Sequence, residues 1–459
     1  MKNTIIFTLG NLGSKIVSFF LVPLYTYVLT TAEYGVIDLI STVGTVTIPI
    51  LTLNISEAVM RFALDKDADK EKITLIGTRI LIITMLVGLL IFPICGLFNN
   101  ISQYSVCVYF YVVSLAASQL YLCDLRGKEL LIFYSIGNVL NSFFIAISNM
   151  IFLLIFKEGI EGYLKAYIIA NILTVIYAIM AGKGYKSFCF LKIDKKLLLQ
   201  MIKYSIVLIP NSFMWWIMNS SDRIMVSSMI GISANGIYAV SYKLPTLVST
   251  LTMIFNQAWS YSAIKEEGTI DESEYSNKVF KVLIGTVMLI GIGLLTFAKP
   301  FLSLYVSKDY YTAWKYIPFL TIGCVYLTMA TFMATSYTVH KDSFGYLFSG
   351  MFGAIFNIAM NFVLIPLVGV YGAAVATCIS YILVFIFRLF HTRKYIRYNI
   401  INREFIVGSV VLVLSAGLMF INKWIGFTLQ FVLLIVTVYL FSNTWLPIMR
   451  KMVKLKGKL

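Results

Sequence analysis

The sequence predicts an all-α integral membrane protein of about 14 transmembrane helices, and three observations lead to that class. Of its 459 residues, 59% are hydrophobic, and the mean hydropathy is +0.86, well above a soluble chain of about half apolar residues. The apolar residues fall into runs of roughly 20, the length that crosses a bilayer, joined by connections of about 4 to 20 residues that leave no room for a soluble domain. The net charge of +16 lies almost wholly on alternate connections. That is the distribution of an inner, cytoplasmic face.

The first run, Ile5 to Leu29, follows directly on MKN, lacks a small-residue cleavage site and contains Asn11 and Lys15. It reads as a retained span with the N-terminus inside. TTAEYG turns it outside into a second span, Val36 to Met60, followed by the charged inner loop RFALDKDADKEK. Spans three and four, Ile73 to Leu97 and Val106 to Leu125, flank FNNISQYS. Spans five and six, Leu130 to Phe156 and Leu164 to Ala181, flank KEGIEGY. These six spans form the first bundle, residues 1–182. A basic linker, 183–203, contains KIDKKLLLQMIKY, whose Leu198, Met201 and Ile202 share one side with lysines opposite, as in a helix lying on the membrane surface.

Residues 204–392 repeat the plan. Spans seven and eight, Tyr204 to Met229 and Ile237 to Ile264, are joined by a turn from Gly231 to Gly236 and followed by the inner loop KEEGTIDESEYSNK. Spans nine and ten are Val279 to Val306 and Tyr316 to Val339; eleven and twelve are Phe344 to Pro366 and Tyr371 to Phe390. Residues 393–459 add two spans, Phe405 to Ile421 and Phe427 to Ile448, and a basic tail. GIEGYLKAYIIANIL from Gly159 aligns without a gap on GVYGAAVATCISYIL from Gly369. AEYGVIDL from Ala32 recurs loosely as ANGIYAVS from Ala234. Six spans return the chain to its starting side, so both termini are expected in the cytoplasm. The two bundles are related by a pseudo-two-fold along the membrane normal, with a substrate route between them.

Several chemistries are excluded. There is no G-x-x-x-x-G-K-[ST] phosphate loop for ATP and no H-E-x-x-H for zinc, and no cofactor is implied. The six cysteines are scattered, and His340 and His391 stand alone at inner helix ends, so neither a disulfide framework nor a metal site is legible. The basic excess has a topological explanation in orientation and anionic-lipid contact and does not point to nucleic acid.

Ions inside spans are costly and mark function. Lys15, Asp38, Glu57, Asp222, Arg223 and Lys243 are such ions. Lys15, Arg223 and Lys243 are candidates to present positive charge to an anionic group such as pyrophosphate. Asp38, Glu57 and Asp222 are candidate cation-coupling sites. The alternative is internal neutralisation, Lys15 with Asp38 and Arg223 with Asp222. Asn211, Trp215, Asn219, Arg223 and Ser227 recur four apart on one helical face, and Tyr242 and Asn256 lie on one side of the next span. Sugars are held by aromatic faces and amide side chains, which adds Asn11, Trp215, Asn219, Tyr242 and Asn256 to the candidate substrate contacts.

TTAEYGVIDL, SEAVMRF, PNSFMWWIMNSSDRIMVSSMIGISANGIYAVSYKL and GVYGAA resemble the bacterial polysaccharide flippases, the Wzx-type members of the multidrug/oligosaccharidyl-lipid/polysaccharide exporter superfamily. The resemblance covers essentially the whole chain. It implies two six-helix bundles with two extra helices, and a transporter, not an enzyme, of the bacterial cytoplasmic membrane. It also implies alternating access that moves an undecaprenyl-pyrophosphate-linked oligosaccharide to the outer leaflet for an O-antigen or capsule. A proton or sodium gradient is the candidate driving force, and glycan polymerase or assembly proteins are candidate partners. Related lipid-linked peptidoglycan precursor flippases use a cationic central cavity, in keeping with Lys15 and Arg223. The competing expectations are a cation-coupled multidrug exporter of the same superfamily and a non-transporting scaffold of a glycan-assembly complex.

Overall fold

The computed structural model describes residues 2–65, 67–91, 101–185, 194–266, 268–269, 271–421 and 423–456. The described residues are helical apart from short turns and a non-helical stretch at 396–401, and the chain divides into two compact units, Met1–Trp216 and Ile217–Leu459. It is a multi-pass membrane protein. Among the described residues, eleven helices are long and apolar enough to cross a bilayer. Of the other predicted spans, the first lies in the 27-residue helix Lys2–Val28, the eighth is divided in two, and the thirteenth has 16 residues.

In the first unit, α1 (Lys2–Val28) leads into α2 (Thr31–Leu51) through a turn whose chemistry the sequence specifies. Thr30 accepts from the Glu33 amide at 3.2 Å while Glu33 accepts from the Thr30 amide at 2.8 Å. Two of the orphan amides at the helix start are thereby satisfied. The second span is not continuous as predicted. It breaks after Leu51, with Leu53 and Asn54 both left-handed at φ 51° and 52°, and resumes as α3 (Ile55–Ala63). Pro49 removes one ladder amide, and Thr84 donates to the freed Leu51 carbonyl at 3.0 Å.

Helices α4 (Lys70–Ile91) and α5 (Ser105–Gly127) follow, then α6 (Leu131–Asn149) with a π-helical end over Met150–Ile155, and α7 (Gly159–Ala181). The end of the predicted third span lies outside the described residues. Helix α1 packs on α6, and α5 and α6 pack on α7. Near the C-terminal end of α5, Asp124 is buried and accepts from Thr74 at 2.5 Å and from Lys128 at 2.6 Å.

KKLLLQMIKY is not a separate helix. It is the start of α8 (Lys195–Met229), which continues unbroken through the predicted seventh span. Met201 is buried with Ile55, Val59 and Ile73 in the first unit's core, and Trp216 Nε1 donates to the Thr42 carbonyl at 2.8 Å. Packing therefore places the stretch up to Trp216 with the first unit.

In the second unit the turn before the eighth span contracts to Gly231, whose φ of 138° suits glycine alone. The span itself divides into α9 (Ile232–Ser241) and α10 (Pro245–Glu266). Pro245 supplies no amide and opens α10. Then come α11 (Glu272–Tyr305), α12 (Ile317–Val339), α13 (Ser343–Val368) and α14 (Val370–His391), followed by α15 (Arg403–Leu418) and α16 (Lys423–Lys456), which pack on α11.

The internal repeat has a structural signature. Gly159 and Gly369 both take positive φ, at 57° and 65°. Gly162 and Gly372 both face the backbone of the preceding helical segment, at Phe152 and Leu364. A Cβ on Gly372 would lie 2.2 Å from the Leu364 carbonyl oxygen, whereas one on Gly350 meets nothing within 4 Å. Gly372→Ala is thus expected to cost about 2 kcal/mol or more, against near-neutrality for Gly350→Ala. Thermal melting of the two purified variants in detergent checks this.

Candidate functional site

Helix α8 carries Asp222 and Arg223 on adjacent positions, about 100° apart around the helix, so they address different surroundings. Asp222 points inward and is 2% exposed. Its Oδ2 accepts from the Tyr238 hydroxyl at 2.7 Å, the Tyr242 hydroxyl at 2.5 Å and Thr377 Oγ1 at 3.2 Å, and its Oδ1 accepts from the Arg223 amide at 2.9 Å. Tyr238 and Tyr242 sit one turn apart on α9 and its C-cap, which brings both phenols to one oxygen. Four donors thus meet a carboxylate that has left water, as a buried polar group requires.

The network extends into α13 and α14. Asn357 Nδ2 donates to Thr377 Oγ1 at 3.3 Å, while Asn361 Nδ2 and Ser221 Oγ donate to Asn357 Oδ1 at 3.0 and 3.3 Å. All of these side chains are buried, and the carbonyl oxygen of Asn361 has no hydrogen-bond partner. A carboxylate, amide oxygens and a hydroxyl within one buried cluster form a hard-oxygen set of the type that suits a small cation. No group of three His, Cys, Asp or Glu poised for a transition metal occurs among the described residues.

Arg223 is half-buried, and its guanidinium lies over the Tyr242 ring, 5.1 Å from the centroid. Tyr242 therefore does two things. Its hydroxyl is tied to Asp222 and its face carries Arg223, so the cation is set in place by the acid next to it in sequence. Tyr242 itself is 5% exposed and faces the interior of the unit. Asn219 is exposed and its Oδ1 accepts from the Tyr381 hydroxyl at 3.1 Å. Lys243 falls in the break between α9 and α10 and is half-buried.

Below the break, α10 and α12 enclose an open cleft of about 310 Å³ lined by Ser249, Thr252, Asn256, Ser260, Thr328 and Thr331, with Met253 and Leu327. The carbonyl oxygen of Asn256 has no hydrogen-bond partner.

In the first unit Lys15 is exposed on α1, Asp38 is buried on α2, and Glu57 is half-buried in the first turn of α3. Trp215 is half-buried near the end of that unit. The side chain of Asn11 lies outside the described residues, as does that of Asn211. Asp222 accepts from two phenols and a hydroxyl.

Residues 1–264 match the family model described as polysaccharide biosynthesis protein. The chain belongs to this family. The chain is similar to two uncharacterized membrane proteins of Methanocaldococcus jannaschii. One is 25% identical over 261 residues, 52% of this chain and 60% of the relative; the other is 22% identical over 319 residues, 63% and 59%. The chain spans about three fifths of the length of these curated relatives.

Among solved structures it is similar to the lipid II flippase MurJ in an inward closed conformation. The TM-score is 0.74 at 14% identity, over 98% of this chain and 100% of that one. It is also similar to an inward-facing multidrug resistance MATE family transporter of the MOP superfamily, with a TM-score of 0.64 at 13% identity over 84% and 94%. A MOP superfamily transporter from Pyrococcus furiosus gives 0.55 at 14% over 85% and 94%. At such identities the likeness is one of fold, and it agrees with the class expected from the sequence.

Sequence reasoning missed Thr377, Asn357 and Asn361 as members of the polar cluster. A signal was present: two asparagines four apart inside an apolar run place two amides on one helical face. It also missed Ser260, Thr328 and Thr331, which look like ordinary hydroxyls returning to their own helices.

Proposed function

We propose that this protein is a flippase that moves an undecaprenyl-pyrophosphate-linked oligosaccharide from the cytoplasmic to the outer leaflet of a bacterial cytoplasmic membrane by alternating access. The observation that carries the reading is Arg223, an arginine inside a span, set over the Tyr242 ring by the buried Asp222. Arginine presents a planar fork to phosphate oxygens, and a fixed guanidinium loses little freedom on binding. Lys15, exposed on α1, supplies the first unit's cation. The lipid tail stays in the bilayer while the polar head crosses, so hydroxyls and charges never enter hydrocarbon.

Transport is coupled to a proton or sodium ion, with Asp222 as the favoured acid because of the oxygen set around it. The buried, unpartnered carbonyl of Asn361 supports a cation there. Asp38 and Glu57 are the other acids proposed to bind it. Glycan polymerase or assembly proteins are the proposed partners.

The test is complementation of a flippase-null strain with analysis of the accumulated lipid-linked glycan. Lys15→Ala and Arg223→Ala are each expected to abolish surface glycan at unchanged protein level. Normal glycan in both variants would remove these cations from the mechanism, and drug efflux without glycan export would assign the chain to multidrug transport.

A further inference from the structure

The cleft between α10 and α12 has a chemistry unlike that around Arg223. No Asp, Glu, Lys or Arg lines it among the described residues. Its walls are hydroxyls and one amide, interrupted by the apolar Met253 and Leu327. Thr252 Oγ1 is engaged with Thr328 Oγ1 at 3.0 Å and with the Val248 carbonyl at 2.7 Å, which ties α10 to α12 and fixes the cleft's width. Thr331 donates to the Leu327 carbonyl at 2.8 Å, keeping its lone pairs as acceptors. The carbonyl oxygen of Asn256 has no donor although its surroundings are polar. A buried acceptor left in that condition is costly unless something arrives to satisfy it.

We infer that this cleft is a subsite for an uncharged, hydroxyl-rich sugar ring of the transported head group. A sugar hydroxyl donates and accepts, matching the Asn256 amide and the hydroxyls of Ser260 and Thr331. The ring's C–H face rests against Met253 and Leu327. At about 310 Å³ the cleft falls at the small end of ligand pockets. An anionic sugar would bring a charge that nothing in the described wall compensates. The inference rests on the flippase reading, because that reading is what brings a sugar to the cleft on a lipid pyrophosphate.

The test uses the full chain in nanodiscs and calorimetry with five probes: citronellyl pyrophosphate and its glucosyl, galactosyl, N-acetylglucosaminyl and glucuronyl conjugates. At least one neutral conjugate is expected to bind about tenfold tighter than the bare pyrophosphate. In Asn256→Leu and in Ser260→Ala the ratio of conjugate to bare affinity is expected to fall towards one, with the bare probe still bound as proof of folding. A glucuronyl conjugate that binds tightest, no gain from any neutral sugar, or variants that leave the ratio unchanged would overturn the subsite while leaving the flippase reading intact. Failure of the wild-type protein to bind any of the five would overturn the flippase reading itself.

Discussion

Asp222→Asn is expected to reduce complementation of a flippase-null strain to background while the protein still reaches the membrane. Asparagine keeps the volume and one acceptor, so Tyr238, Tyr242 and Thr377 can remain bonded after their hydroxyls rotate, and the loss isolates the charge. Asp222→Ala removes the acceptor altogether and leaves those donors buried without a partner, at about 1–3 kcal/mol for each. A fall in thermal midpoint and in membrane yield is therefore expected for the alanine variant only.

Tyr242→Phe separates the two tasks of that residue. The ring still carries Arg223 but no longer reaches Asp222, so a loss of about 1–2 kcal/mol in stability is expected. If sodium coupling resides at this cluster, exchanging sodium for choline at fixed ionic strength should lower the wild-type midpoint and leave Asp222→Asn unmoved. An equal response in both would exclude a sodium site at Asp222 and leave the proton as the ion to test there.

What was legible in the sequence was whatever depended on local chemistry or on a strong apolar period. The turn TTAEYG contains its own capping box, and the Gly159 and Gly369 segments reveal the repeat because both turns need a left-handed glycine. The breaks in spans two and eight were not legible. Hydropathy runs straight through Leu53 and Asn54 because nothing in their apolar and amide side chains demands φ near 50°. The break is accompanied by a tertiary contact, since Thr84 on another helix donates to the Leu51 carbonyl. The fate of KKLLLQMIKY was decided by packing as well: Met201 is fully buried in the first unit's core, and the stretch extends α8.

At the candidate site, Asp222 and Arg223 could be singled out as ions at depth, yet their relation could not. Neighbouring residues on a helix face different ways, so the acid found phenols from α9 and a hydroxyl from α14, partners separated by up to 155 positions. Such partners can be named only after the fold has assembled them.

Arg388→Ala is expected to be the most destabilising single substitution in the second unit, by about 3–5 kcal/mol in an unfolding titration, because it removes a large, fully buried side chain at a helix junction. Arg388 lies in the last turn of α14 and is 0% exposed. Its Nε donates to Ser349 Oγ on α13 at 3.0 Å and its Nη1 to the Ala330 carbonyl on α12 at 3.0 Å, with the Tyr346 ring 5.6 Å away. One planar group thus joins three helices. The nearby acid is committed elsewhere: Asp342 accepts from Lys394 at 2.8 Å, from the Gly345 amide at 2.8 Å and from the Tyr395 hydroxyl at 2.9 Å. The Lys394 ammonium and these donors hold its carboxyl down at about 2. Asp342 therefore remains ionised on its own partners throughout the physiological range and is not drawn to Arg388. Lysine cannot span two acceptors in one plane, so Arg388→Lys should recover only part of the loss. Arg388→Met fills most of the volume without burying a charge, and such exchanges are often close to neutral. The expected order of midpoints is therefore wild type and Met highest, Lys between, Ala lowest. A methionine variant that melts normally and still complements would assign Arg388 to packing alone; one that melts normally and fails to export glycan would make its charge part of the transport cycle.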